Sequence, residues 1–235
     1  MGTYKDDIEW ANKFHPMKHN DIVTLENTTV GVGEVFEVIH NDHQYYLQPL
    51  SSCLWFPMAI PEQTKETVSF FQNMDKSFED YLGIGGCPSE EEAIKEIQRL
   101  LDKERYGRHK YYVIQKQFGQ PIGLFYVYEY HQKYKRCNIA IGLSSEYRGK
   151  GLSETIISDL CDVFFSQGIV RIGLETETTN TSSLKCCEKL CDTLGFKKEG
   201  TLRNLYGKGI DSVVFSRIPE YKYKKETSNK DDDKE

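Results

Sequence analysis

Residues 146–153 read Glu-Tyr-Arg-Gly-Lys-Gly-Leu-Ser, a short loop rich in glycine and cations. The loop follows a predicted strand, Arg136–Leu143, and leads into a predicted amphipathic helix that ends at Gly168. The first N–H groups of a helix have no partner within the helix and carry a partial positive charge, so they suit an anion. Glycine has no Cβ to block a phosphate oxygen, and Arg148 and Lys150 favour a diphosphate over a neutral ligand. The loop matches neither the GxxxxGK[ST] nor the GxGxxG pattern.

Strands and helices are predicted on both sides of this loop. Before it, the pattern predicts the strand Glu34–Ile39, a turn at His40–His43, the strand Tyr45–Leu50, the helix Glu62–Asn73, a helix from Ser89 through Leu101, and the strands Tyr111–Gln117, Pro121–Tyr130 and Arg136–Leu143. After it, the pattern predicts the strand Val170–Glu175, the helix Thr181–Leu194, and the strands Phe196–Thr201 and Ile210–Arg217. Ser89 and Glu92 form a predicted capping box. The order of elements indicates a mixed α/β sheet with helices on both faces.

Composition excludes several classes of protein. Hydrophobic residues are 38% and aromatic residues 12% of 235, which is enough for one sizeable core and excludes global disorder. No apolar run approaches the roughly 18 residues that cross a bilayer, and Met1–Trp10 has no secretory signal. The net charge of -6 disfavours a nucleic-acid partner. We expect a cytoplasmic protein, a monomer or a homodimer, with no membrane or nucleic-acid partner.

The seven cysteines indicate neither a disulfide framework nor a metal site. Their number is odd and none forms a CxxC pair. Cys187 and Cys191 lie one helical turn apart, but they would need partners elsewhere to bind a metal. We therefore expect buried thiols and no metal. The cysteines are Cys53, Cys87, Cys137, Cys161, Cys186, Cys187 and Cys191.

The loop resembles the acyl-CoA loop of the GNAT superfamily of N-acetyltransferases. That pattern is Gln or Arg, two residues, Gly, one residue, then Gly or Ala. In Tyr147–Ser153, Arg148 and Gly151 match, and Ser153 takes the last position.

Downstream motifs resemble the ribosomal-protein N-acetyltransferase (RimJ/RimL) branch of the same superfamily. That branch reads Asn, two residues, Ser, then Glu-Lys-Leu-Gly-Phe, then Glu-Gly and Arg. The matching residues here are Asn180, Ser183, Glu188-Lys189-Leu190, Leu194–Gly200 and Leu202-Arg203. Cys191–Leu194 are an insertion of four residues relative to this pattern, about one helical turn. The resemblance covers about Tyr45 to Arg217.

The resemblance implies a fold and a domain organisation. The fold is α/β (α+β): a mixed, largely antiparallel central sheet with helices on both faces and one splayed strand pair. Residues 1–33 are expected to be an N-terminal extension, 34–219 the acetyltransferase domain, and 220–235 a charged disordered tail.

The resemblance also implies that acetyl-CoA is the co-substrate. Its diphosphate would bind loop N–H groups, its pantetheine arm would pair with the end of one strand, and its thioester would lie where that strand splays from the next. The implied cofactor-binding residues are Ile141, Gly142, Leu143, Arg148, Gly149, Lys150, Gly151, Leu152, Ser153, Asn180 and Ser183. For two of them an alternative stays open, since Asn180 is also a suitable helix cap and Ser183 would then occupy the first turn.

Acetyl transfer needs a neutral amine and a polarised thioester carbonyl. Backbone N–H groups near Leu143 are the implied oxyanion donors. An α-amine of pKa about 8 is about one-tenth neutral at pH 7, which costs about 1.4 kcal/mol, whereas a lysine at about 10.4 costs about 4.6 kcal/mol. A weak base suffices for the α-amine. The candidate catalytic bases are Glu175, Glu177 and His131, each of which is alternatively a solvated residue at a strand end.

The predicted function is N-acetyltransferase. The enzyme would transfer the acetyl group of acetyl-CoA to a primary amine, of a protein N-terminus or a small molecule, by direct attack in a ternary complex. Many GNAT enzymes carry a Tyr general acid seven residues after the Asn, where this chain has Cys187. One alternative is therefore a non-catalytic acyl-CoA-binding module with a sensing or scaffolding role, and another is a domain for ordinary nucleotides.

Two aromatic pairs lie in the segment between Leu50 and Glu92: Trp55–Phe56 and Phe70–Phe71. They either shape the acceptor side or a dimer contact, or lie in the core.

Overall fold

The computed structural model describes residues 35–54, 61–105, 109–116 and 120–219. The expected N-terminal extension 1–33, the expected tail 220–235 and Trp55–Phe56 lie outside these residues. Across the described ranges, no helix combines the length and apolarity needed to cross a membrane.

The described residues form eight strands: β1 (Phe36–His40), β2 (His43–Pro49), β3 (Lys110–Lys116), β4 (Gln120–His131), β5 (Arg136–Leu143), β6 (Arg171–Glu177), β7 (Lys197–Leu202) and β8 (Ser212–Arg217). They form one sheet in the order β1-β2-β3-β4-β5-β6-β8-β7. Every neighbouring pair is antiparallel except β5 and β6, which run parallel. The predicted mixed, largely antiparallel sheet is confirmed.

The described α-helices are α1 (Leu50–Leu54), α2 (Pro61–Gln72), α3 (Lys76–Leu82), α4 (Glu90–Arg105), α5 (Leu152–Ser166) and α6 (Thr181–Leu194). The capping box at the start of α4 is confirmed, because Glu92 Oε2 accepts from the Ser89 N–H (3.0 Å) and Ser89 Oγ accepts from the Glu92 N–H (3.2 Å). Two short helices, α1 and α3, were not predicted. Their five and seven residues are too few to show helical periodicity, although Asp75 and Gly83 cap α3 as such residues commonly do.

The predicted turn between β1 and β2 is a two-residue hairpin turn. Its central residues Asn41 and Asp42 both have left-handed backbone conformations, with φ of 49° and 61°. β1 packs against α5, since the rings of Phe36 and Phe164 meet edge to face with centroids 6.5 Å apart. The hairpin therefore brings its tip close to the beginning of α5.

Helices cover both faces of the sheet, as predicted. The first core joins α5 and α6 to one face and includes Leu152, Ile156, Leu160, Phe164, Leu190, Val127, Ile139, Ile172 and Phe215. The second core joins α1 to α4 to the other face and includes Leu50, Phe70, Phe71, Phe78, Ile97, Leu100, Val113 and Leu124. Phe70 and Phe71 are thus buried, which decides between the two alternatives open for them.

α3 packs directly on β5 at Gly142. A Cβ at this position would lie 2.5 Å from Leu82 Cδ1 and 2.9 Å from Phe78 Cε1. These distances are shorter than van der Waals contact, so only glycine lets α3 approach β5 this closely.

We expect Gly142→Ala to lower the free energy of unfolding by about 1 to 3 kcal/mol, because the added methyl group overpacks the contact with α3. Gly200→Ala is the matched control, since a Cβ at Gly200 in β7 meets no atom within 4 Å. Urea unfolding of both variants measures the difference. Equal stabilities would contradict the close packing of α3.

Candidate functional site

The parallel strands β5 and β6 separate along their length. Arg136, Cys137 and Asn138 pair with Arg171, Ile172 and Gly173, and no later pair joins these two strands within the described residues. The predicted splayed strand pair is confirmed. The carboxyl-terminal halves of β5 and β6 consequently border a V-shaped gap, here called the cleft.

Asn138 and Gly173 form the last pair before the cleft. A Cβ on Gly173 would lie 2.2 Å from Asn138 Oδ1, so the glycine makes room for the Asn138 side chain. Asn138 Nδ2 donates to Glu129 Oε2 (2.9 Å), and Glu129 lies in an irregularity of β4 with φ of 50°. This arrangement was not predicted. The available signal is a single amide residue within the apolar strand β5.

Hydrogen bonds to β4 determine which backbone groups of β5 face the cleft. The Ser144 N–H donates to the Ile122 carbonyl (2.8 Å), and alternate residues of an antiparallel ladder direct both backbone groups to the partner. By this alternation, Ile141 and Leu143 direct their N–H and C=O groups toward the cleft. Gly142 directs its groups toward β4, so its contribution here is the absence of a side chain.

The glycine-rich loop leads from β5 to α5 and presents backbone N–H groups. Gly149 and Gly151 have φ of 71° and 83°, left-handed conformations that favour glycine. Gly151 is the N-cap of α5, and among the described residues no side chain caps the helix. The first N–H groups of α5 are thus left for an external acceptor, as the sequence predicts. Within the loop, the Arg148 N–H is not available to a ligand, because it donates to the Ser145 carbonyl (3.3 Å).

The guanidinium of Arg148 points to α3 rather than into the loop. Nη2 donates to both carboxylate oxygens of Asp75 (2.9 and 2.7 Å) and to Ser77 Oγ (2.6 Å), and Nε donates to the Leu143 carbonyl (2.7 Å). The positive charge that the sequence indicates at Arg148 is therefore paired with Asp75. Partial burial opposes ionisation of Asp75, but the hydrogen bonds from Arg148 and Ser77 hold its pKa below the ordinary value.

Asn180 caps α6. Its Oδ1 accepts from the Ser183 N–H (3.0 Å), which is the capping alternative that the sequence left open. A cofactor contact by either residue remains a prediction. α6 continues to Leu194 and ends at Gly195 with φ of 72°, so the four-residue insertion lies within the last turn of the helix.

Cys187, at the position where the resemblance implies a Tyr general acid, is buried. Its side chain is buried in the core between α6 and the sheet, and burial, with the adjacent Cys186, raises its pKa to about 12. A departing thiol has an ordinary pKa of about 8.5, so proton transfer from Cys187 to that thiolate would be uphill. All seven cysteines are free thiols. Within the described ranges, no three His, Cys, Asp or Glu residues are grouped as a metal site would require.

Glu175 lies on the face of β6 opposite α5 and α6, beside the cleft. Tyr206 Oη, from the loop between β7 and β8, donates to Glu175 Oε1 (2.8 Å). Burial and the charge of Glu175 raise the pKa of Tyr206, and burial, Tyr126 and Glu175 raise that of Tyr128. Burial alone raises the pKa of Tyr126 to about 12. Glu175 is thus hydrogen-bonded to one phenol, Tyr206, and its charge also acts on a second, Tyr128. Of these three residues, the sequence analysis indicated only Glu175.

The other two predicted bases differ in position. Glu177 lies two residues further along the same face of β6, and its Oε1 accepts from Thr179 Oγ1. His131 pairs with Arg136 at the closed end of the strand pair, and its ring packs on Tyr134 with centroids 4.3 Å apart. The structure therefore brings the two glutamates together and leaves His131 at the other end of the sheet. His131 is therefore too far from the cleft to act as its base.

The sequence pattern of the acetyltransferase (GNAT) family matches residues 71–192, more than half of the chain. The chain belongs to this family. This GNAT protein is an acyltransferase, and acetyltransferases of the family use acetyl-CoA as the acetyl donor. No curated protein matches it in sequence.

Solved structures with the same fold include acetyltransferases of three bacteria. A probable GNAT acetyltransferase from Chromobacterium violaceum is 20% identical, with 81% of this chain and 92% of that chain covered and a TM-score of 0.59. RimJ of Mycobacterium smegmatis, in complex with CoA-disulfide, is 16% identical, with 79% and 87% covered and a TM-score of 0.55. The ribosomal-protein-S5-alanine acetyltransferase of Vibrio fischeri is 18% identical, with 78% and 96% covered and a TM-score of 0.54. At these identities the similarity shows the fold alone. The structures that share this fold include the RimJ/RimL type that the sequence suggests.

We expect Asp75→Asn to lower the free energy of unfolding of this GNAT protein at pH 7 by about 1 kcal/mol or less, because Asp75 and Arg148 are 37% and 40% exposed. Asn keeps the helix cap and removes the charge. A depressed folded pKa adds stability above the ordinary pKa of 3.8 and loses it as the pH falls, so the difference should shrink below that pH. Urea unfolding at several pH values measures it. Asp80→Asn, at an exposed position on the same helix, is the matched control.

We expect Gly151→Asp to weaken CoA binding by about 100-fold or more while the fold is retained, because it sets a carboxylate against the diphosphate. Gly151→Asn is the matched control, since Asn has the same shape and both residues tolerate a left-handed conformation. Isothermal titration with CoA compares the two. Equal affinities in both variants would argue against a diphosphate at this loop.

Proposed function

We propose that the protein transfers the acetyl group of acetyl-CoA to a primary amine, of a protein N-terminus or a small molecule, by direct attack in a ternary complex. The observation that carries the proposal is the cleft between β5 and β6, with an uncapped helix N-terminus at its edge and Glu175 on its far face. Family membership supports acetyl transfer. We also propose that the protein is cytoplasmic, as the sequence leads us to expect.

The donor side of the cleft suits the three parts of acetyl-CoA. The N–H groups of Gly149 to Ser153 suit the diphosphate, and the backbone of Ile141 suits the amide groups of the pantetheine arm. The Leu143 carbonyl is already bonded to Arg148, which leaves the Leu143 N–H as the donor for the developing oxyanion. A RimJ structure that contains CoA-disulfide supports a CoA site in this fold.

The acceptor amine approaches from the face that carries Glu175. The Glu175 carboxylate accepts a proton from the ammonium form of the acceptor, directly or through water, and the neutral amine then attacks the thioester carbonyl. The Tyr206 hydroxyl orients the carboxylate. An α-amine has a smaller deprotonation cost than a lysine by about 3 kcal/mol at pH 7. This difference favours a protein N-terminus, the kind of acceptor that the name of the S5-alanine enzyme states for that enzyme.

The departing thiolate needs no general acid. Release of a thiolate of pKa about 8.5 at pH 7 costs about 2 kcal/mol, a small part of an enzymatic barrier. The buried Cys187 in place of a Tyr therefore does not prevent turnover, although it is the observation that favours a non-catalytic acyl-CoA-binding module as the second candidate.

Thiol release from acetyl-CoA, measured with N-terminal peptides and small amines, tests the proposal. We expect turnover with at least one acceptor and a decrease of about 100-fold in kcat/KM for Glu175→Gln, with the affinity for CoA unchanged, because only the base is lost. Glu177→Gln, on the same strand face, is the matched control. CoA binding without turnover on any acceptor would favour the binding module, and a loss confined to Glu177→Gln would transfer the base to Glu177.

A further inference from the structure

The ring of His40 lies between the glycine-rich loop and the first turn of α5. Nε2 is 2.9 Å from the Lys150 carbonyl oxygen, and Nδ1 is 2.8 Å from Thr155 Oγ1. A Cβ on Gly151 would lie 3.5 Å from His40 Cε1, so the ring also packs against the N-cap residue. One side chain from β1 thus contacts both the glycine-rich loop, at Lys150, and the first turn of α5, at Thr155.

These contacts orient a particular peptide group. A carbonyl can only accept, so Nε2 carries a proton and donates to Lys150, and Nδ1 of the neutral ring accepts from the Thr155 hydroxyl. In a planar trans peptide the C=O of residue 150 and the N–H of residue 151 point in opposite directions. When His40 holds the Lys150 carbonyl on the hairpin side, the Gly151 N–H faces away from the hairpin.

The hairpin is a rigid support for this ring. Its two-residue turn follows directly after His40, and Phe36 on the same strand packs edge to face on Phe164 of α5. Asn41 Nδ2 also lies 3.0 Å from His40 Nε2, but with the proton on Nε2 this is a contact between two donors and makes no hydrogen bond. The loop itself contains two glycines in left-handed conformations, which have wide backbone freedom. The orientation of the peptide therefore comes from an element outside the loop.

We propose that His40 is a positioning residue for the acyl-CoA loop. It holds the Lys150–Gly151 peptide and the first turn of α5 in the orientation that directs N–H groups to the diphosphate, before the ligand arrives. The inference rests on the proposed function of this loop. It predicts a role in affinity for acetyl-CoA and none in the chemical step, because His40 contacts only the diphosphate end of the site.

The test compares variants of the hairpin by steady-state kinetics and CoA titration. We expect His40→Ala to raise KM for acetyl-CoA and Kd for CoA about three- to tenfold, with kcat and KM for the acceptor unchanged, because one oriented hydrogen bond is lost. His40→Gln should restore most of the affinity, since its amide nitrogen replaces Nε2 as the donor to Lys150. His43→Ala, across the same hairpin, should behave as the unchanged protein.

Thr155→Val tests the other contact without a change in the hairpin, and carries the test if His40→Ala does not fold. We expect a smaller rise in KM for acetyl-CoA, and the double variant should bind CoA as His40→Ala does, because both residues act through one ring. Unchanged affinity in folded His40→Ala would overturn the inference. So would a general impairment, in which kcat and the melting temperature fall and both KM values rise by the same factor. Failure of the unchanged protein to bind CoA would instead overturn the proposed function.

Discussion

The functional site of this molecule depends on two parallel strands that stop pairing halfway along their length. Beyond Asn138 and Gly173, β5 and β6 expose backbone groups that have no strand partner across the cleft. A buried backbone group without a partner costs about 1 to 3 kcal/mol, so such an edge needs water or a ligand that can pair with it. A chain of amide groups, like the pantetheine arm of CoA, supplies such partners and has the width of a strand. The cleft is therefore suited to a ligand that takes the place of the missing strand pairing.

The glycine-rich loop beside this cleft is held from two sides by side chains that belong to other parts of the fold. Arg148 connects it to α3 and to the Leu143 carbonyl, and His40 connects it to the β1–β2 hairpin. Both residues bind carbonyl or carboxylate oxygens. The Lys150 carbonyl of the loop is thus occupied by His40, while the first N–H groups of α5 have no side-chain cap among the described residues.

The two faces of the cleft differ in their electrostatics. On one face the helix dipole of α5 favours an anion, and the charge of Arg148 is neutralised by Asp75. On the other face, the Glu175 carboxylate accepts a hydrogen bond from the Tyr206 phenol, and its charge helps to raise the pKa values of Tyr206 and Tyr128. Under the proposed function, a diphosphate and an ammonium group would reach the cleft from opposite sides. This separation is what direct transfer between two bound substrates requires.

Features that depend on neighbouring residues were evident before the fold was known. The hairpin turn, the capping box of α4, most strands and helices and the N–H groups of the loop follow from short-range periodicity, capping and glycine conformation, and each of these involves a few consecutive residues. The partner of Arg148 is 73 residues away and that of His40 is 110 residues away, so no local pattern identifies them. Because contacts between distant residues leave no local pattern, the sequence indicates His131 as a base and does not indicate Asn138. Which strand ends meet depends on the order of strands in the sheet, and that order results from the packing of the complete core.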